Sequence, residues 1–395
     1  MKELENMKIT DDIVYIGVND HAVDFFEGQF EVPLGMAYNS YVIRDEKIAV
    51  MDTVDRNFGD AWLANLKTAI GDARVDYLVV HHMEPDHSAN VAKFAAAYPE
   101  AKIVSSLPAF AMMKNFFGTD FAERRVVVKE GDTLALGKHT LAFVGAPMVH
   151  WPEVVVSYDT TDKVLFSADG FGKFGANDVV DPEGWDCEAR RYYFGIVGKF
   201  GANVQALLKK AAALEIRTIC PLHGPVLATP EEIGHAVRQY LTWSSYGVES
   251  EGVCVAYTSV YGHTKAAAEK FAEILKAKGC PKVAIADLVR DDMYETIEDG
   301  FRYGRLVLAT TTYNTAVFPK MEEYIRHLMR RQYQNRKVGL IENGTWAPMA
   351  AKGMKELLGT LKDVAICDTV VTIRGAMTDA DVAALEKLAD EILGN

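Results

Sequence analysis

The sequence has few cysteines, no long apolar run and no excess of positive charge. Its 395 residues include five cysteines and no CxxC pair, which excludes an appended four-cysteine iron site and argues against a disulfide framework. No stretch approaches the roughly 20 apolar residues of a membrane helix. The net charge of -13 argues against a nucleic-acid partner, because phosphate backbones require clustered Lys and Arg. The charged N-terminus lacks the apolar segment of a secretory signal, so we expect a soluble, cytoplasmic protein with no membrane partner.

The chain is long enough for more than one hydrophobic core. In its first part, helices alternate with short apolar strands, consecutive strands fill residues 125–167, and helices are predicted at 189–213 and 229–245. This order predicts a layered sandwich of α and β elements. From residue 249 onward, five strands are each followed by a helical stretch, which predicts a doubly wound parallel sheet. We therefore expect two domains, 1–248 and 249–395.

The stretch HHMEPDHS, residues 81–88, follows a buried apolar strand and leads into a helix. A strand and a helix packed behind such a bend can fix the directions of its side chains toward bound ions. His150, Asp169 and His223 each lie just beyond an apolar strand. Taken singly, each could equally be an ordinary polar residue at the end of a strand. Together, these positions predict one metal site formed by His82, Glu84, Asp86, His87, His150, Asp169 and His223.

Three loops of the second domain carry the pattern of a ligand site. The first strand runs into a hydroxyl-rich turn before its helix, and free backbone N–H groups there can bind a phosphate without a Lys. Two more loops follow the third and fourth strands, where ligands of such sheets bind. Tyr313 and Trp346 could flank a flavin ring, although ordinary aromatic loops without a ligand are the alternative. The candidate residues are Thr258, Ser259, Val260, Tyr261, Gly262, His263, Thr264, Thr311, Thr312, Tyr313, Asn314, Thr315, Asn343, Gly344, Thr345 and Trp346.

These residues, with the flanking words HWPE, SADGFG and PLHGP, resemble the flavodiiron proteins, a branch of the metallo-β-lactamase superfamily. The resemblance covers nearly the whole chain. It implies a metallo-β-lactamase-like αββα sandwich followed by a flavodoxin-like FMN domain. It also implies one iron held by His82, Glu84 and His150, another by Asp86, His87 and His223, and Asp169 as the bridge. His81 is then a structural or supporting residue.

The resemblance also implies a function. A flavodiiron oxidoreductase reduces dioxygen to water, nitric oxide to nitrous oxide, or both, at a di-iron site, while FMN relays electrons. The implied donor is a separate rubredoxin, a reduced deazaflavin or another reductase, and the implied assembly is a head-to-tail homodimer or a tetramer. The main alternative is a metallo-β-lactamase-type hydrolase fused to a flavodoxin module. Such a hydrolase would carry His in place of Glu84, whereas an oxygen-rich ligand set suits iron. A flavin carrier with a degenerate metal site is the other alternative, but no ligand is missing.

The remaining histidines fall outside this signature. His139, His235 and His327 are predicted to be structural or solvent-facing. His21 is an exception, because the segment DHAVDFFEGQF resembles the family's N-terminal region near the metals. The predicted supporting catalytic residues are His21, Tyr192 and Tyr193.

Overall fold

The computed structural model describes residues 8–394. Residues 1–7 lie outside the described residues. They include most of the charged N-terminus that was predicted not to be a secretory signal. The chain forms two compact units, one of residues 1–193 with 202–241 and one of 194–201 with 242–395. The domain boundary at 248/249 remains a prediction. Within residues 8–394, no helix is long and apolar enough to cross a membrane.

The first unit contains fifteen strands and seven helices over its described residues, most of them short. In chain order they are β1 (Ile13–Tyr15), β2 (Val18–Asp20), β3 (Phe25–Phe26), β4 (Phe30–Glu31), β5 (Met36–Tyr38), β6 (Tyr41–Ile43), β7 (Ile48–Met51), α1 (Gly59–Ile70), β8 (Val75–Val79), α2 (Pro85–Ser88), α3 (Val91–Ala97), β9 (Lys102–Ser105), α4 (Leu107–Phe117), β10 (Arg125–Val127), β11 (Thr133–Ala135), β12 (Thr140–Gly145), β13 (Val155–Asp159), β14 (Val164–Phe166), α5 (Asp186–Tyr192), α6 (Gly201–Ala211), β15 (Thr218–Cys220) and α7 (Pro230–Ser244).

Two mixed sheets pack face to face in this unit. One has the order β1-β6-β7-β8-β9-β10 and the other β11-β12-β13-β14-β15. Side chains from both sheets, such as Tyr41, Val79, Phe143 and Phe166, join in one buried cluster. Alternate residues of each strand point inward, so the opposite faces are left for helices. The result is the expected αββα sandwich.

Two helix predictions need correction. The predicted helix at 189–213 is broken: α5 ends at Tyr192, a π turn and a 3-10 turn occupy Tyr193–Phe200, and α6 starts at Gly201. Glycines in the sequence GIVGKFG weaken the regular helix there. Helix α4 was not predicted from the sequence, although Ser106 marks its start. The side chain of Ser106 accepts a hydrogen bond from the backbone N–H of Ala109, as an N-cap does.

The second unit follows the predicted alternation of strands and helices. Its elements are β16 (Ser250–Tyr257), α8 (His263–Ala277), β17 (Val283–Asp287), α9 (Met293–Arg302), β18 (Tyr303–Tyr313), β19 (Ala316–Val317), α10 (Pro319–Arg330), β20 (Arg336–Asn343), α11 (Ala350–Leu358), β21 (Val364–Ile373) and α12 (Asp379–Leu393). The main sheet is parallel, in the order β17-β16-β18-β20-β21. This is the flavodoxin-like order, in which the chain adds its second strand on one side of the first strand and the later strands on the other side.

The second unit uses residues that precede the predicted boundary. The buried guanidinium of Arg336 donates hydrogen bonds to the carbonyls of Tyr246 and Gly247, at 2.8 and 3.0 Å. Trp243 Nε1 donates to Glu249 over 2.7 Å. Because a buried charged donor is costly to leave without acceptors, a fragment needs residues 242–248 for this anchor.

We expect residues 242–395 to fold alone, to bind FMN and to show no gas reductase activity. The shorter fragment 249–395 should be less stable by about 2 kcal/mol, because Arg336 loses two acceptors. Chemical denaturation and flavin titration of both fragments measure this difference. An insoluble or flavin-free 242–395 fragment would contradict an independent second domain.

His139 is buried in the first unit, as predicted for a structural histidine. Its Nδ1 lies 3.1 Å from Asp159 and its Nε2 lies 3.2 Å from Asp12, which also pairs with Lys138. Its backbone N–H donates to Asp45. Burial favours the neutral ring, but the hydrogen bonds to Asp12 and Asp159 outweigh this effect and raise the pKa of His139. The imidazolium therefore ties the N-terminal segment to β12 and β13.

This raised pKa predicts a pH-dependent contribution to stability. The stabilisation is complete below the unfolded pKa of His, about 6.5, and is lost as pH rises through the higher folded pKa. His139→Gln should lower the free energy of unfolding by about 3 kcal/mol near pH 6, and by less once the pH exceeds the raised pKa of the folded protein. Urea denaturation of both proteins across this pH range tests it. A difference that grows with pH would show that the ring is neutral in the folded protein.

Candidate metal centre and ligand cleft

The bend after β8 presents its polar side chains inward. Residues 80–83 are buried, and Pro85 starts the short helix α2 at a position where its missing N–H costs nothing. The backbone N–H of His87 donates to the carbonyl of Glu84, which tightens the bend. All seven predicted metal ligands meet here, and six of the seven are buried, while Glu84 is partly exposed.

Three of them form a first cluster. His82 Nε2 lies 3.2 Å from His150 Nε2. Glu84 Oε2 lies 3.3 Å from His82 Nε2 and 3.0 Å from His150 Nε2. A second cluster repeats this arrangement with other residues. His87 Nε2 lies 3.0 Å from His223 Nε2, and Asp86 Oδ2 is 3.3 and 3.2 Å from these two nitrogens.

Asp169 lies between the two clusters and turns one oxygen to each. Its Oδ2 is 3.3 Å from His82 Nε2 and 3.2 Å from His150 Nε2. Its Oδ1 is 3.3 Å from His87 Nε2 and 3.7 Å from His223 Nε2. This is the placement that a bridging carboxylate requires.

The donor atoms fit metal ions better than they fit one another. Imidazole nitrogens face each other at 3.0 and 3.2 Å, where two neutral acceptors repel. Both oxygens of Asp86 and of Asp169 are buried without a hydrogen bond of good geometry. Separations near 3 Å are those of adjacent ligands around one ion bound at about 2.1 Å. Two divalent ions would also neutralise the three carboxylates, two of them buried, whose charges are costly to leave unpaired.

The pKa shifts of the ligands also show that this site favours positive charge. Burial acts to lower the pKa of His82, but the charge of Asp169 and hydrogen bonds to Glu153 and Glu84 raise it well above its usual value. Burial is likewise outweighed at His150, whose pKa rises to about 9 through Asp169 and Glu84. Burial acts to raise the pKa of Asp169, but the nearby imidazoles hold it well below its ordinary range. A group of ligands that binds protons this strongly is suited to bind cations.

Supporting residues orient the ligand rings. Glu153 accepts a 2.8 Å hydrogen bond from His82 Nδ1, and the carbonyl of Ala37 accepts one of 2.7 Å from His223 Nδ1. Each bond leaves Nε2 without a proton and free to bind a metal. His81 binds Asp52 and Ser157 instead, so it is structural, as predicted. Glu153 was not singled out from the sequence, although it lies in the word HWPE.

The three predicted supporting catalytic residues separate in the structure. Tyr192 is buried with its ring 5.5 Å from that of His223, next to the centre. Tyr193 packs instead on Tyr240, at 5.1 Å, because consecutive helical residues point in different directions. His21 is a correction: its side chain is 54% exposed and contacts Asp178, not the ligands.

Glu27, from the same N-terminal segment as His21, comes nearer to the ligands. Although its side chain reaches solvent, the surrounding protein and the negative charge of Glu84 raise the pKa of Glu27 to about 8. Phe26 beside it is buried, with its ring 5.4 Å from His223. The segment DFFEGQF therefore reaches the centre through Phe26 and Glu27. The sequence predicted a supporting role for His21 in this segment, whereas the structure brings Glu27 nearer to the ligands.

The three predicted loops of the second unit line one open cleft of about 290 Å³. Fourteen of the sixteen candidate residues lie on its wall. Thr258 does not, because it is buried with its hydroxyl 2.6 Å from that of Thr310, and neither does Gly262, whose N–H donates to Ser259. Gly375, which follows β21, lines the cleft and was missed; its place after the fifth parallel strand was the available signal.

The cleft has the chemistry of a flavin phosphate site. Helix α8 begins there at His263 without a side-chain N-cap, which leaves the N–H groups of its first turn for a ligand. Tyr261 and Trp346 are 90% and 71% exposed at its rim, and Tyr313 is about half exposed. Large exposed aromatic rings beside a polar cradle suit a planar, phosphorylated ligand such as FMN.

Comparisons with known proteins agree with this geometry. Residues 36–224 match the family model described as ODP family beta lactamase. The chain is 28% identical to rubredoxin-oxygen oxidoreductase of Megalodesulfovibrio gigas, over 98% of both proteins. It is 29% identical to anaerobic nitric oxide reductase flavorubredoxin of Escherichia coli O1:K1, over 86% of this chain and 72% of that protein.

Solved structures match over the same length. The rubredoxin oxygen:oxidoreductase of Desulfovibrio gigas covers 98% of this chain, with 97% of its own length, a TM-score of 0.91 and 26% identity. The flavodiiron protein of Giardia intestinalis covers 98% of this chain with 97% of its own length, a TM-score of 0.90 and 24% identity, which supports the fold. Across nearly its whole length this chain is thus similar in sequence and fold to rubredoxin-oxygen oxidoreductase, and its two ligand clusters joined by one carboxylate agree with the resemblance to the flavodiiron proteins.

Proposed function

We propose that this oxidoreductase reduces dioxygen to water, nitric oxide to nitrous oxide, or both, with electrons relayed through FMN from a separate rubredoxin-type donor. The observation that carries the proposal is the pair of three-residue clusters joined by Asp169. Two of the relatives, an oxygen oxidoreductase and a nitric oxide reductase by name, support both gases as substrates. A reduced deazaflavin remains an alternative donor.

In this proposal His82, Glu84 and His150 would hold the first iron, Asp86, His87 and His223 would hold the second, and Asp169 would contribute to both. When bound, the irons and the flavin supply the electrons: four per dioxygen reduced to two waters, or two for each pair of nitric oxide molecules converted to nitrous oxide and water. The carboxylates favour the ferric state more than an all-imidazole set would, because they add negative charge. A zinc hydrolase has no use for this charge or for the flavin cleft.

The protein's own side chains fix and shield the centre. Glu153 holds His82 in the tautomer that leaves its Nε2 free, and Ala37 does so for His223. The ring of Trp151 lies 5.2 Å from that of His82, and the ring of Tyr192 lies 5.5 Å from that of His223. Such apolar surfaces limit water around reduced oxygen or nitrogen species and strengthen the electrostatic interactions inside.

The proposal includes a head-to-tail homodimer, alone or paired as a tetramer, in the cytoplasm. Exposed aromatics at the cleft rim, above all Tyr261 and Trp346, are consistent with a partner subunit that covers a bound flavin. Light scattering across a range of protein concentrations measures the assembly.

The function predicts a composition and a reaction. Protein made in iron-replete cells should contain about one FMN and two irons per chain. The protein is reduced under anaerobic conditions and then mixed with each gas in a stopped-flow instrument. At least one of the two gases should reoxidise it. Water or nitrous oxide would be the product. Two zincs and no flavin, or no reoxidation by either gas, would contradict the function.

The bridging role predicts the effect of Asp169→Asn. This change keeps the size of the side chain but removes the negative charge that lets it hold two cations. We expect iron loss and a decrease in turnover of about two orders of magnitude or more, with FMN content unchanged.

Asp159→Asn is the matched control for Asp169→Asn. Asp159 is as fully buried in the same unit, but it pairs with His139 and lies outside both clusters. It should lose stability while keeping its iron. Wild-type iron content in Asp169→Asn, or an equal iron loss in both variants, would refute the specific bridging role.

A further inference from the structure

A small apolar cavity lies in the first unit on the outer face of the second sheet. Val144, Val156 and Leu165 line it from β12, β13 and β14, while Val204 and Ala211 line it from α6. Its volume is about 30 Å³. A single water needs about 10–15 Å³ of such space, and pockets for organic ligands are roughly ten times larger than this cavity. Only one very small molecule fits.

The cavity presents no free polar group to such a molecule. Ser167 and Tyr240 are the polar residues on its wall, and both hydroxyls are engaged elsewhere. Ser167 Oγ donates to the carbonyl of Gly170 over 2.6 Å. The Tyr240 hydroxyl accepts a 2.6 Å hydrogen bond from the N–H of Phe171. Water would find no partner here, and cavities of this kind stay dry and take apolar guests such as xenon.

The cavity is adjacent to the metal centre in the chain. Val149, on its wall, immediately precedes His150, and Gly170, also on its wall, immediately follows Asp169. In each of the two segments that follow β12 and β14, a wall residue of the cavity and a metal ligand are therefore consecutive residues.

We propose that this cavity binds one molecule of an apolar diatomic gas in the unit that contains the metal centre and raises the local concentration of the gas substrate. This inference rests on the proposed function and adds a separate gas-binding site to it. Weakly polar gases partition from water into apolar space, so the site needs no polar contact to favour them over water. Its size excludes larger competitors.

Xenon under pressure is the probe for this site, because it occupies dry apolar cavities without chemical reaction. Crystals of the wild-type holoenzyme should show xenon between β13 and α6. Ala211→Leu, which fills the cavity from α6, should abolish the xenon peak. Ala212→Leu changes the next, exposed position in the same way and should keep it. Iron and FMN contents should equal those of the wild type in both variants.

Kinetics then test the role of the site. Ala211→Leu should raise the apparent KM for the gas by about threefold or more while kcat stays unchanged, and Ala212→Leu should alter neither. If Ala211→Leu does not fold, Leu214→Phe fills the same cavity from beyond the end of α6. An absent xenon peak in the wild type, or an unchanged KM in a variant whose cavity is filled, would overturn the proposal. If the wild type reduces neither gas, the proposed function fails, and the xenon result alone decides whether the site takes apolar gases.

Discussion

The buried carboxylate of Asp169 is the constraint around which the first unit is arranged. Each of its oxygens lies within 3.7 Å of two imidazole nitrogens, and neither has a hydrogen bond of its own. A buried anion in this position is costly unless positive charge lies on both sides of it. Protons on the histidines can supply that charge, which explains the raised pKa of His82 and His150. Two metal ions supply it with better geometry, because they also separate nitrogens that otherwise face each other at about 3 Å.

His81 supports this arrangement by joining the two sheets of the first unit. One ring nitrogen of His81 binds Asp52, which follows β7 of the first sheet, and the other binds Ser157 in β13 of the second sheet. This fully buried bridge joins the two sheets directly behind the bend that carries His82 and Glu84. A hydrogen-bonded polar group between sheets fixes their register more narrowly than apolar contacts do. The ligand positions thus depend on a neighbouring histidine that need not bind a metal.

The sequence predicted best what depends on residue type and strand order. Metal ligands could be recognised because His, Asp and Glu after apolar strands have few other common roles in such numbers, and the parallel order of the second sheet fixed which loops meet. Side-chain direction was harder to predict. Tyr192 faces the centre while Tyr193 does not, and Glu27 rather than His21 approaches Glu84, since both outcomes depend on local backbone turns. The break between α5 and α6 was visible only as a glycine pattern.

Because side chains alternate along its strands, the second sheet of the first unit has two faces with different roles. In β12 to β14, Phe143, Ser157 and Phe166 face inward and support the sandwich core and the bend behind the metals. Their neighbours Val144, Val156 and Leu165 face outward and line the apolar cavity under α6. Because successive residues of a strand point to opposite faces, each set can change without displacing the other. Substitutions on α6 are therefore directed at the proposed gas site and not at the carboxylates and imidazoles of the two ligand clusters.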